Sequence, residues 1–129
     1  MTPSDFMKKK IIFCFDLDNV ICLTKKNYYH KSKPIHKSIE AINKLYDQGY
    51  FIKIFTARFM GRSNENIKKA ISRGYKLTEK QLKIWGLKYH KLIFGKPSFD
   101  VVIDDKAINF SNNWHYLLKK YYLNKINKS

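Results

Sequence analysis

Apolar and polar positions along this chain fall into short blocks, and the sharpest boundary ends the run Ile11-Ile12-Phe13-Cys14-Phe15. The run stops at Asp16, with Asp18 two residues on. Short, β-branched and aromatic, it predicts a strand buried on both faces, as in parallel sheets. Asp16 then stands at the carboxyl end of that strand, where ligands of open α/β sheets bind. Residues 19–37 read as a long polar loop. From 38 to 48, Ile39, Ile42, Leu45 and Tyr46 recur at helical spacing, and Gly49 follows as a stop. Phe51 to Phe55 predicts a second strand ending at Thr56. A right-handed βαβ unit would lay Thr56 near Asp16.

Residues 57–77 are less regular, with a short helix expected over 65–72 before Gly74. Thr78-Glu79-Lys80-Gln81 has the form of a capping box. It predicts a new helix carrying Leu82, Ile84 and Trp85 inward and closing at Gly86. Leu92 to Phe94 is a third strand, followed by Gly95-Lys96-Pro97. Val101 to Ile103 is a fourth, ending in Asp104-Asp105. A last helix is expected from Asn113 to Leu123, with Trp114, Leu117, Leu118 and Tyr121 on one face. Residues 1–9 read as a frayed lead-in, and no internal repeat or low-complexity segment is visible. The whole predicts one α/β domain over residues 1–129, with a parallel sheet of at least four strands in the order 3-2-1-4, flanked by helices.

The chain has 129 residues, enough for one core. No apolar run approaches the roughly 20 residues that span a bilayer. The first ten residues lack the apolar stretch of a signal peptide. Cys14 and Cys22 make no disulfide framework, so a reducing cytoplasm is the expected setting. The net charge of +16 invites a nucleic-acid reading. Yet all but three of the basic residues are Lys, scattered among abundant Asn, Ile and Tyr, the residue set of A/T-rich codons. The charge therefore fits a solvated surface that attracts anionic small molecules, with nucleic acid as the lesser alternative.

Candidate chemistry gathers at the strand ends: Asp16 and Asp18, Thr56, Lys96, and Asp104 and Asp105. Oxygen ligands select a hard cation, and Mg²⁺ is typically held by one or two carboxylates plus substrate phosphate. A carboxylate beside it can form an aspartyl-phosphate. A second carboxylate can protonate the leaving oxygen and later activate water. The hydroxyl and the ammonium would stabilise the transferring phosphoryl group. His30, His36, His90 and His115 show no metal-ligand spacing.

In these residues the sequence resembles the haloacid dehalogenase-like (HAD) hydrolases. Their four motifs occur in order as Asp16-Leu17-Asp18-Asn19-Val20, Thr56, Lys96-Pro97 and Asp104-Asp105. The resemblance implies a Rossmann-like three-layer α/β/α fold. It implies Asp16 as nucleophile, Asp18 as general acid/base, and Thr56 and Lys96 as phosphoryl ligands. Mg²⁺ would be held by Asp16, the backbone carbonyl of Asp18 and Asp104. Asp105 would reach the metal through water or orient Lys96. Family members usually read Asp-x-Asp-Gly-Thr; here Asn19 takes the Gly position, which its tolerance of left-handed backbone allows, and Val20 removes a supporting hydroxyl.

Several phrases, among them Ile54-Phe55-Thr56-Ala57-Arg58 and Phe94-Gly95-Lys96-Pro97, resemble a small capless branch of capsule and surface-polysaccharide biosynthesis phosphatases. About 37 residues between Asp18 and Thr56, and about 39 between Thr56 and Lys96, leave no room for the cap domain the family inserts there. An open site suits a large substrate, or a neighbouring subunit of a homo-oligomer that covers it.

All three arginines, Arg58, Arg62 and Arg73, fall between Thr56 and Thr78. With Ala57, Arg58 and Arg62 are expected to contact the anionic or sugar part of the substrate, because Arg grips phosphate or carboxylate bidentately. The leading expectation is a Mg²⁺-dependent phosphatase acting on a sugar phosphate. The alternatives are a nucleotide or nucleic-acid-end phosphatase and a catalytically silent phosphate- or nucleic-acid-binding module.

Overall fold

The computed structural model describes residues 11–97, 99–101, 103–108 and 114–123, the side chain of Tyr121 aside. The chain divides into two compact units, Met1–Ser98 and Phe99–Ser129. The first is mixed α/β. Its main sheet holds three parallel strands, β1 (Ile12–Asp16), β4 (Phe51–Thr56) and β5 (Lys91–Phe94), in the spatial order β1-β4-β5. That is the expected 3-2-1 portion of the order. A small antiparallel pair, β2 (Cys22–Leu23) and β3 (Lys33–Pro34), lies between β1 and the first helix. The helices are α1 (His36–Asp47) and α2 (Ile67–Ile84).

Both crossovers run the same way across the sheet, so right-handed connections put α1 and α2 on one face. Burial follows that rule. Along β4, Ile52, Ile54 and Thr56 are fully buried, whereas Phe51, Lys53 and Phe55 are half-exposed. Leu92 and Phe94 on β5 and Phe15 on β1 complete the buried face. Ile39, Ile42 and Leu45 of α1 and Ala70 and Leu82 of α2 are buried on the helix side. Asn43 ties α1 to the turn beyond α2, donating to Gly86 O at 2.9 Å and accepting from Lys88 N at 2.8 Å. His90 is a structural residue: its Nδ1 accepts from Ile52 N, and its ring stacks on Phe51 and Tyr46.

Several expectations change in the first unit, and Ile84, expected inward, is 70% exposed. β1 is not buried on both faces: Ile12 is 55% exposed and Cys14 is exposed, because the helices cover the opposite face. The polar stretch 19–37 contains the β2-β3 hairpin and a 3-10 turn at Tyr29–Lys31. Helix α2 runs unbroken through Gly74 and Thr78, capped by Asn66, whose side chain accepts from Lys69 N. The capping-box motif is therefore internal to a helix. Gly74 is retained for space: a Cβ there would sit well inside van der Waals contact of the Phe59 ring.

In the second unit, Val101 and Ile103 lie in no strand and are exposed, and Val102 lies outside the described residues. Helix α3 spans Trp114–Leu118 and passes into a π turn at Lys119–Leu123, covering most of the helix expected there. Asn113, the Tyr121 side chain and the lead-in 1–9 lie outside the described residues. Among the described residues no helix is long and apolar enough to cross a membrane.

Gly74→Ala sets two effects against each other. Helix propensity favours Ala by about 1 kcal/mol, whereas overpacking a filled space costs about 1–3 kcal/mol. The expected outcome is a net loss in urea unfolding; a more stable variant would show that Phe59 moves aside without cost.

Candidate active site

Parallel pairing fixes which side chains meet at the sheet's carboxyl edge. Asp16 is in register with Phe55, and Thr56 with Phe94, so the last residues of β1, β4 and β5 stand side by side. Gly95 leaves β5 with φ +106, a conformation costly for residues with a Cβ, and a Cβ there would also press on Ile67 at 3.1 Å. Lys96 N then donates to Thr56 O at 3.2 Å, continuing the ladder by one residue. This brings Lys96 Nζ to 3.0 Å from Asp16 Oδ2. The Asp16 side chain is 40% exposed and that of Lys96 20%, so the pair is partly open to solvent on the Asp16 side. Its other oxygen accepts from Leu17 N at 2.9 Å.

Beyond Asp16 the backbone turns sharply. Asn19 takes φ +66, the left-handed conformation expected at this position. Its N–H donates to Cys22 O, and its side chain accepts from Thr24 N at 3.2 Å. This turn starts the hairpin and aims Asp18 inward.

Asp18 meets Arg58, whose side chain is fully buried. Arg58 Nε donates to both Asp18 oxygens, at 3.1 and 3.0 Å, and Nη2 donates to Oδ1 at 2.9 Å. Nη2 also donates to Ser32 Oγ at 3.1 Å, and Nη1 donates to Thr78 Oγ1 at 3.1 Å and Gln81 Oε1 at 2.6 Å. A guanidinium has five N–H groups, and these acceptors take all five. Thr24 Oγ1 donates to Asp18 Oδ1 at 2.6 Å and lies 2.6 Å from Ser32 Oγ. Each hydroxyl has one proton, so Ser32 must be the donor to Thr24. The result is a closed ring of bonds through Arg58, Ser32, Thr24 and Asp18.

The expected substrate ligands thus fall into different places. Arg58 has no N–H left for a substrate. Arg62 is exposed, donates to Asn27 O, and lies over the rings of Tyr29 at 5.4 Å and Phe59 at 5.2 Å. Ala57 is half-buried beside Thr56. Thr56 is fully buried, and its hydroxyl accepts from Arg58 N at 3.0 Å, which keeps its own proton for another acceptor. Asp104 and Asp105 belong to the second unit and are exposed; Asp104 Oδ1 accepts from Lys106 N at 2.8 Å. Thr24 and Ser32 escaped the sequence reading, since lone polar residues in a loop carry no motif, whereas Thr78 and Gln81 read as a capping box and not as partners of an arginine.

Among the described residues no cluster of three or more His, Cys, Asp or Glu could hold a metal ion. Asp16 offers a hard carboxylate oxygen and Asp18 a backbone carbonyl within the first unit, a donor type that fits Mg²⁺ sharing its shell with water and substrate phosphate, while the Asp18 carboxylate is taken by Arg58 and Thr24.

No family model and no curated protein matches the chain. It is similar in structure to the crystal structure of an MCSG target from Vibrio cholerae, with a TM-score of 0.75 and 22% identity. The match covers 92% of this chain and 94% of that one. At that identity the likeness speaks for the fold alone.

Cys22 supplies a check on the buried ring. Its thiol is pushed up to about 11 from 9.0, first by burial and then by the neighbouring Asp18 charge. Above pH 9 the unfolded chain binds fewer protons at this thiol than the fold does, so stability falls as pH rises toward about 11. The slope is at most about 1.4 kcal/mol per pH unit. Urea unfolding of Cys22→Ala beside the parent protein should show that increment missing from the variant; equal slopes would place the thiol in a wetter setting.

Proposed function

We propose that this chain is a Mg²⁺-dependent phosphomonoester hydrolase of the HAD type, working through an aspartyl-phosphate. The observation that carries the reading is the Asp16–Lys96 pair, drawn together at the carboxyl edge of the sheet from the ends of β1 and β5 across β4, with Asp18 two residues behind. A carboxylate placed to attack and an ammonium placed to hold phosphoryl oxygens are the two groups such a transfer needs first.

In the first half, an Asp16 carboxylate oxygen forms a bond to phosphorus as the bond to the leaving oxygen breaks. Asp18 gives that oxygen a proton. In the second half, Asp18 takes a proton from water, the water oxygen bonds to phosphorus, and the bond to Asp16 breaks, releasing phosphate. Lys96 and the Thr56 hydroxyl would neutralise charge on the phosphoryl oxygens in both halves. Asp16 and the Asp18 backbone carbonyl would hold Mg²⁺, which when bound draws charge off the phosphoryl group. Asp104 and Asp105 join as metal ligands on the sequence resemblance alone. The same resemblance supplies the fourth strand and the Rossmann-like three-layer arrangement as part of this reading.

A sugar phosphate of surface-polysaccharide synthesis is the leading substrate class, supported by the capless spacing and the phrases around Thr56 and Lys96. The net charge of +16 favours, as a second reading, a phosphatase of nucleotides or nucleic-acid ends.

The test is phosphate release from sugar phosphates, nucleotides and 3′-phosphorylated oligonucleotides, with Mg²⁺ and with EDTA. Turnover should need the metal and fall by more than about 10³-fold in Asp16→Asn. Full activity in that variant would remove Asp16 from the chemistry. A best rate on oligonucleotides, falling steeply with salt, would select the second reading. No turnover on any substrate would leave a binding module.

A further inference from the structure

We propose that Arg58 is the positioning residue for Asp18, and that the same guanidinium locks the β2-β3 hairpin beside the site. The inference rests on the phosphatase reading for its catalytic half and on geometry alone for its structural half.

The argument starts from donor counting. A buried guanidinium is costly to desolvate unless its donors are met, and here each has an acceptor within 3.1 Å. Those acceptors come from three elements. Asp18 follows β1, Ser32 sits in the hairpin, and Thr78 and Gln81 lie on α2. Gln81 extends the contact, because its Nε2 donates to Tyr29 O at 2.7 Å. The Tyr29 ring lies 5.1 Å from the Arg58 guanidinium and 4.9 Å from the Phe59 ring. Phe59 holds φ +65, an uncommon conformation for a bulky residue, and its ring fills the space above Gly74. Helix, hairpin and Asp18 are therefore braced on one side chain.

The bonds are also unevenly shared between the carboxylate oxygens. Oδ1 accepts from Nε, Nη2 and Thr24, and the Cys22 thiol lies 3.6 Å away. Oδ2 accepts from Nε. The ring fixes Oδ1 and leaves Oδ2 as the oxygen with capacity to exchange a proton with the leaving group or water. Arg58 acts through Asp18 and touches no substrate, so its loss should change turnover more than binding.

The experiment uses the full chain with p-nitrophenyl phosphate and Mg²⁺ as the probe, together with hydrogen exchange of backbone amides. Arg58→Lys keeps the charge but cannot make the forked contact. Misplacement of an acid/base group by about 1 Å costs about 10²-fold. The expected result is a kcat lower by about that factor with KM within about threefold of the parent. Amides in residues 22–34 should exchange faster in Arg58→Lys while those of α1 do not change. Asp18→Asn should loosen the same amides, and the double variant should be no looser than either single one. An unchanged kcat, a fall expressed mainly in KM, or unchanged hairpin exchange would overturn the proposal. Should Arg58→Lys fail to fold, Gln81→Met removes one Arg58 acceptor and the Tyr29 bond, and the same outcomes apply to it. No turnover by the parent protein sinks the phosphatase reading and leaves the exchange data to decide this one.

Discussion

A guanidinium with 1% of its residue surface exposed is the constraint around which the first unit is arranged. Burying a charge is tolerable where a counter-charge and a full set of acceptors travel with it. Arg58 draws its acceptors from the turn after β1, the hairpin and α2, so their packing is conditional on one another. Removing any acceptor would leave a buried N–H unmet, which costs about 1–3 kcal/mol. The parallel sheet brings Asp16, Thr56 and Lys96 to one edge, and the Arg58 ring then decides where Asp18 stands beside them.

Two layers of organisation are thus superposed on a short stretch of chain. The outer layer is the Asp16–Lys96 pair, half-buried and open to solvent on the Asp16 side. The buried layer is the Asp18–Arg58 ring, in which direct bonds hold the geometry. Adjacent carboxylates two residues apart are placed in opposite surroundings, one facing solvent and one facing a buried cation. Placing two like groups in unlike environments is a recurring way to give them different properties.

Most of the sheet was legible because its signals are periodic and strong. The runs at 11–15, 51–55 and 92–94 predicted β1, β4 and β5 within a residue or so, and the right-handed crossover placed β1 beside β4. The edge residues Asp16, Thr56 and Lys96 followed from strand ends. Legibility failed where a local rule met a tertiary contact. Gly74 and the Thr78 box read as a helix break, yet the glycine admits the Phe59 ring and the threonine accepts from Arg58. Two-residue strands such as β2 and β3 carry too little pattern to see. Arg58 read as a substrate ligand and not as a buried residue, because its acceptors lie 20 to 40 residues away and no spacing announces them.

The wide separation of these partners also bears on how the chain reaches its final form. Parallel strands cannot pair through a tight turn; Ile12 must find Phe51, and Asp18 must find Arg58 40 residues further on. Closing such loops is entropically unfavourable until the contacts they bring are made, and non-local pairings slow folding. A chain emerging from a ribosome therefore presents Asp18 long before its guanidinium exists. The hairpin, local in sequence, can form early, but it gains its anchor when Arg58 arrives and its full bracing when α2 delivers Gln81. The apolar run from Ile11 to Phe15 waits equally long for its sheet neighbour, which leaves that first strand in need of shelter during synthesis.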